Sequence, residues 1–321
     1  MANERTIEYL ETSFLKDVLS IESVTDIAFN GTDIFVDDVD RGRYRLETAP
    51  CYTDIFAFVK QLANLSGKNF YYSEPILDLS TGFYRLNAVF HNIARNKDKP
   101  TITFSIRKFS AIIRFNAKGD GVLDSILEKI VNSNTSIVIF GNSGAGKTEL
   151  QKYLISLMRP MTRVIVIDNI NELGMIEFPK DIDITNWLSG CVSIENLIAN
   201  ALRSNAERII LAEARGKEML QVLNSALTGH PSIVTVHGID NQMVYHRMAR
   251  MCIEANPNLL MSETLVELRQ TFTYSIKVVK DVGNNGGFVR RIESIAHVMR
   301  DGEVETIYSF NEPIAKETLN A

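Results

Sequence analysis

The sequence predicts an α/β protein in which a parallel sheet, covered by helices on both faces, follows a smaller α+β domain. Three observations predict it. From about residue 120, short runs of Val, Ile and Leu alternate with amphipathic helical stretches, the pattern of a sheet buried on both sides. Before about residue 110, strands are short and separated by turn signals, as in antiparallel pairing. Between them lies Ser136-Ile-Val-Ile-Phe-Gly141-Asn-Ser-Gly-Ala-Gly-Lys147-Thr148, a buried strand running into a glycine-rich turn of the pattern GxxxxGK[ST].

Bulk properties set the frame. Of 321 residues, 45% are hydrophobic and 23% charged, ordinary for a soluble globular chain long enough for two cores. The net charge of −5 does not favour nucleic acid or an anionic membrane as a main partner. The opening Met-Ala-Asn-Glu-Arg-Thr has no apolar signal segment, and no run approaches the roughly 18 apolar residues of a membrane span. A cytosolic protein is expected. Cys51, Cys191 and Cys252 are scattered without a CxxC pair, so neither a disulfide framework nor a zinc site is expected.

In chain order, Ile7, Leu10, Phe14 and Val18 predict an amphipathic helix over Thr6–Leu19. Asn30-Gly31 between two apolar runs predicts a hairpin over Val24–Val36 with a type I′ turn. Ile55, Phe58, Val59 and Leu62 mark a helix over Asp54–Leu65, ended by Gly67. Tyr84–Phe90 and Thr101–Arg107 read as strands, with polar Asn92–Pro100 as the loop between them. The division falls in a linker at about 109–121, containing Lys118-Gly119-Asp120-Gly121, giving domains 1–110 and 111–321. Leu123, Ile126, Leu127 and Ile130 then form a helix from Asp120. Strands at Val164–Ile167, Arg208–Leu211 and Ile233–Val236 alternate with helical stretches at 149–158, 193–203, 217–227 and 241–254. Met243, Met248, Met251 and Cys252 read as core filling. After residue 272 the chain returns to hairpins, with turns at Asn284–Gly287 and Asp301-Gly302.

The glycine-rich turn has a direct chemical reading. Glycine admits positive φ and close backbone approach, so consecutive N–H groups can face phosphate oxygens at a helix N-terminus. Gly141, Asn142, Ser143, Gly144, Ala145, Gly146, Lys147, Thr148 and Glu149 are the candidate nucleotide-binding residues. Lys147 would reach the β- and γ-phosphates, and the Thr148 hydroxyl would bind Mg²⁺. Such a loop also needs a carboxylate to support the metal and a group to position water. The ends of the following strands are the places to look, because open parallel sheets bind ligands at their carboxyl edge. They supply Asp168 and Glu172, Glu213 and Arg215, and His230 and His237.

Taken in order, GNSGAGKT, IDNINEL, ALRSNAERIILAEARGKE and TGHPSIVTVHG resemble the Walker A, acidic, Walker B and histidine boxes of the traffic ATPases of type II and type IV secretion, conjugation and pili. IESVTDIAFNGTDIFV, GFYRLNAV and TITFSIRKF are similar to the N-terminal domain of the branch with conjugation and CpaF/TadA tad-pilus ATPases, so the likeness spans about residues 20 to 310. Asp168-Asn169 stands where Glu-Asp is usual, and Ala206 and Ala212 replace proline and glycine. The missing four-cysteine zinc module argues against the type II branch. The resemblance implies a RecA-like P-loop domain after a PAS-like one, hydrolysing ATP with Mg²⁺. It also implies a homo-hexameric ring in the cytoplasm, peripheral to the membrane through secretion or conjugation apparatus proteins, without direct nucleic-acid binding.

The implied roles are specific to positions. Glu213 supports Mg²⁺ through its water shell, and Glu172 polarises the attacking water, with Asp168 as the alternative. His237, with His230, senses the γ-phosphate. Arg85 and Arg107 match family arginines that reach the nucleotide from the N-terminal domain, while Arg203, Arg208 and Arg215 line the same site or a subunit contact. Two other functions stay open on the residues alone. One is a weakly hydrolysing, nucleotide-dependent scaffold or switch of the same apparatus. The other is a nucleic-acid translocase, against which the acidic balance and the lack of a basic stripe count.

Overall fold

A computed structural model describes residues 2–47, 50–115, 121–179, 181–283, 286–299 and 303–310. Its chain divides into two units, Met1–Ala111 with Asp281–Val289, and Ile112–Lys280 with Arg290–Ala321. Lys118-Gly119-Asp120 of the expected linker, and Asn284, Asp301 and Gly302 of the expected turns, lie outside the described residues.

The first unit contains α1 (Ala2–Glu11), α2 (Lys16–Leu19), β1 (Val24–Phe29), β2 (Ile34–Asp38), β3 (Gly42–Arg45), α3 (Tyr52–Leu65), β4 (Ile76–Thr81), β5 (Tyr84–Val89), β6 (Arg95–Asn96), β7 (Lys99–Pro100) and β8 (Thr103–Lys108). Six strands form one sheet in the order β3-β2-β1-β8-β5-β4, with every pairing antiparallel. Ile27, Phe29, Leu86, Phe104 and Ile106 from the sheet bury against Leu10 of α1 and Ile55, Phe58, Val59 and Leu62 of α3. Gly67, in the left-handed region at φ 67°, follows the α3 C-cap as the sequence suggests.

Two local expectations change. The single helix over Thr6–Leu19 is two helices, because the Ser13 hydroxyl donates to the Leu10 carbonyl (2.7 Å) and accepts the Leu15 N–H (3.2 Å). A short hydroxyl side chain competing for backbone partners breaks the run. The hairpin after Phe29 turns through four residues rather than two. Asn30 Oδ1 accepts N–H bonds from Thr32 (3.0 Å) and Asp33 (2.8 Å), so Gly31 carries the positive φ (102°) and Asn30 does not need it.

The second unit contains α4 (Gly121–Val131), β9 (Ile137–Gly141), α5 (Lys147–Ser156), β10 (Arg163–Asp168), β11 (Asp183–Leu188), α6 (Ile194–Ala201), β12 (Arg208–Leu211), α7 (Glu218–Leu227), β13 (Ser232–His237), α8 (Asn241–Ala255), α9 (Met261–Thr271), and most of β14 (Tyr274–Val282), β15 (Phe288–Val298) and β16 (Val304–Ser309). The sheet order is β11-β10-β12-β13-β9-β14-β15-β16. The six strands from β11 to β14 are parallel, and β16 pairs antiparallel with β15.

Alternation along each central strand feeds two cores. Val138, Phe140, Ile165, Ile167, Ile209, Leu211, Val234 and Val236 pack with α6, α7, α8 and α9 on one face. Ile137, Ile139, Val164, Val166, Ile210 and Ile233 pack with α4 and α5 on the other. Helices thus cover both faces of a largely parallel sheet, as the alternating pattern requires. Among the described residues no helix is long and apolar enough to cross a membrane.

Candidate active site

The fully buried β9 ends at Gly141, and the chain turns through Asn142–Gly146 before α5 begins at Lys147. Gly141, Gly144 and Gly146 take positive φ values of 154°, 71° and 98°. At Gly141 the requirement is also steric, since a Cβ there would stand 2.2 Å from the Val278 carbonyl oxygen. The first N–H groups of α5 lack intrahelical partners and lie where the helix dipole is positive.

Lys147 is only 8% exposed. Its Nζ donates to the carbonyls of Gly141 (3.0 Å) and Asn142 (2.9 Å) and stands 3.4 Å from His237 Nδ1. Thr148, half-buried, follows it in the first turn of α5. From β15, Arg290 Nε donates to the Gly144 carbonyl (2.9 Å).

The neighbouring strands bring further groups to this edge. His237 ends β13 directly opposite Gly141, and Glu213 lies two residues beyond β12. Glu213 Oε1 is 3.0 Å from His237 Nε2, and its Oε2 is 2.7 Å from an Arg215 Nη. An ammonium only donates, so His237 Nδ1 is assigned as the acceptor facing Lys147, which leaves the proton on Nε2. Burial pushes the Glu213 carboxyl up, but the hydrogen bond and charge of Arg215, with His237 and Lys147, outweigh it and leave it below its ordinary value. Burial and the Lys147 charge hold the His237 imidazole below its ordinary value, against the opposing pull of Glu213. The Glu213 hydrogen bond raises Arg215.

Asp168 and Glu172 come from β10 and the loop after it. Asp168 is 4% exposed and accepts N–H bonds from Ile170 (3.0 Å) and Leu173 (3.3 Å), so its carboxylate shapes the loop that presents Glu172. Glu172 Oε1 lies 3.6 Å from Lys152 Nζ of α5.

Other sequence candidates are placed differently. The Glu149 side chain does not face the phosphate loop. It contacts Lys152 Nζ (2.7 Å) and accepts the Arg114 N–H (2.8 Å), which leaves its backbone N–H as its contribution to a phosphate site. His230 is not brought to the loop. It precedes the amino end of β13, roughly 20 Å of extended chain from His237 at the other end. One motif spans the whole strand and so delivers its two histidines to opposite sheet edges. Arg208 is likewise at the amino end of β12. It is buried, donates to Thr135 O (3.1 Å) and Ser133 O (2.5 Å), and burial lowers its guanidinium to about 10. Arg203 is exposed in the turn before β12. Arg85 and Arg107 belong to the first unit, directly opposite each other on β5 and β8, paired with Asp78 (3.2 Å) and Asp26 (2.9 Å).

Sequence reasoning missed Lys152, Gln151 and Arg290. Lys152 was findable from its i,i+3 spacing to Glu149. Gln151 donates to the Leu211 carbonyl (2.9 Å), and Arg290 meets Gly144 from far along the chain, so neither leaves a local signal.

Fold and site together define a P-loop α/β protein with a separate antiparallel-sheet unit. A family model described as Type II/IV secretion system protein matches residues 105–282. The chain belongs to this family of secretion ATPases, whose membership implies nucleotide binding. An uncharacterized protein of Bacillus anthracis is 26% identical over 278 residues, 84% of this chain and 63% of its own length. The type IV secretion system protein PtlH of Bordetella pertussis is 30% identical over 189 residues, 57% of this chain and 55% of its own length. The chain therefore spans less than two thirds of the length of these relatives. The structure of the ATPase DotB of Yersinia pseudotuberculosis shares the fold, with a TM-score of 0.65 at 16% identity over 93% of this chain and 79% of that one.

Proposed function

We propose that the chain hydrolyses ATP to ADP and phosphate and so powers a type IV secretion, conjugation or pilus apparatus. The observation that carries the reading is the Lys147 ammonium, held by two loop carbonyls at a helix start beside His237, whose Nε2 lies 3.0 Å from Glu213. A cation at a glycine turn and a helix N-terminus is an anion site suited to phosphate. Lys147 would exchange its carbonyl partners for the β- and γ-phosphates. Glu172, presented at the same sheet edge, would orient the attacking water. His237 stands between Lys147 and Glu213, so a change at the first would alter its surroundings at the second.

The donors fit Mg²⁺. The Thr148 hydroxyl and the ionised Glu213 are oxygen ligands, and no group of three or more His, Cys, Asp or Glu among the described residues would hold a metal without phosphate and water. Bound there, Mg²⁺ would neutralise charge on the phosphoryl oxygens. Arg85 and Arg107 would add charge from the first unit, within a cytoplasmic homo-hexameric ring seated on membrane apparatus proteins and making no direct contact with nucleic acid. The relatives' names support the type of apparatus.

Phosphate release from MgATP by wild type and Lys147→Ala tests the reading. Wild-type release that vanishes in the variant is the expected result. ATP retained without release by wild type would overturn hydrolysis and leave a nucleotide-dependent scaffold.

A further inference from the structure

Lys152 has no part in the chemistry above, yet it is the most enclosed charge near it. Its side chain is 0% exposed, with Nζ 2.7 Å from Glu149 Oε1 and 3.6 Å from Glu172 Oε1. Burying an ammonium is costly unless acids pair with it, and these two come from different elements. Glu149 lies one turn earlier on α5, immediately after Thr148. Glu172 lies on the loop after β10, whose path is fixed by the two N–H bonds to Asp168 and by Asn171 at φ 66°. The other oxygen of Glu149 accepts the Arg114 N–H (2.8 Å), in the segment that enters the second unit. One ammonium therefore joins the phosphate-loop helix, the acidic loop and the entering segment. The Glu172 side chain is 24% exposed.

We propose that Lys152 is a positioning residue. Through Glu149 and Glu172 it holds the acidic loop in register with the start of α5, so a shift of that helix on phosphate binding is carried both to Glu172 and to Arg114. The consequence for turnover rests on the hydrolytic reading of Glu172; the tie between loop and helix rests on the geometry alone.

Two measurements on the full chain test it. The first is amide hydrogen exchange of the nucleotide-free protein at Ile170, Leu173 and Arg114. Lys152→Met should speed exchange at all three by about tenfold or more, with a cooperative thermal transition retained, and Lys152→Arg should restore protection. Glu149→Gln is milder and should speed exchange at Ile170 and Leu173 as well as at Arg114. Acceleration at Arg114 alone, or unchanged exchange in folded Lys152→Met, overturns the tie.

The second is steady-state phosphate release. Lys152→Met should lower kcat about tenfold with KM within about twofold, and should lower it no further in a Glu172→Gln background. Equal losses in both backgrounds would overturn positioning through Glu172. A wild type without Lys147-dependent release would sink the hydrolytic reading instead, and the exchange result would still decide the tie.

Discussion

His237 shows how a single side chain records its surroundings in the pH dependence of the fold. Its imidazole is held below the ordinary value of 6.5, so the unfolded chain takes up that proton first as pH falls. Stability is therefore complete above 6.5 and declines as pH drops from there toward the lower folded value. Glu213 acts in the same direction one stage lower, since its depressed carboxyl stabilises the fold above 4.5 and that contribution is lost as pH falls further. His237→Gln should flatten the first decline and soften the second, as read from urea midpoints between pH 7 and about pH 3. An unchanged profile would remove His237 from the linkage. At this scale the phosphate loop was legible because its chemistry is consecutive in sequence, from Gly141 to Thr148. The side-chain partners of Glu149, Lys152 and the Arg114 N–H, were not legible, because they are set by helix geometry and by a distant segment.

Whole strands and helices were legible where both faces are buried. β10, β12 and β13 are continuous apolar runs, and the sequence located them to within a residue or so. β11 was not foreseen. It is an edge strand of mixed polar and apolar, mostly exposed residues, and its pairing with β10 is what makes it a strand. The helix α9 and the first-unit strands β3 and β4 were also missed; half the residues of β3 and of β4 face solvent. Direction along a strand was the other hidden quantity, and it separates Arg208 and His230 from Glu213 and His237. Arg208 holds the turn before β9, so Arg208→Met should cost about 2–4 kcal/mol by leaving the Ser133 and Thr135 carbonyls without their donor. Denaturant unfolding at constant m-value measures it, and a loss under about 0.5 kcal/mol would contradict the structural role.

For the molecule as a whole, the proposed ring and the two arginines belong to one prediction. Arg85 and Arg107 sit side by side in the first unit, each on an acid of its own sheet. Exposed ion pairs of this kind hold weakly, so a phosphoryl group could compete for the guanidinium. Alanine at either position should lower turnover more than ATP affinity. Specific activity should also rise with protein concentration, as for a site completed by assembly. Flat specific activity would argue for a self-contained site, and unchanged turnover in both variants would remove the arginines from the chemistry.

The first unit is not one continuous stretch of chain. Residues 281–289 belong to it, and there the Phe288 N–H bonds to the Val39 carbonyl at 2.9 Å. The approach is close enough that a Cβ on Gly42 would stand 2.0 Å from the Gly286 carbonyl oxygen. On the ribosome, domains ordinarily fold as they emerge, amino end first. Here residues 1–111 wait for a strand tip made much later, at residues 281–289. A nascent chain halted at residue 111 would hold an unfinished first unit, which the arrival of residue 289 completes.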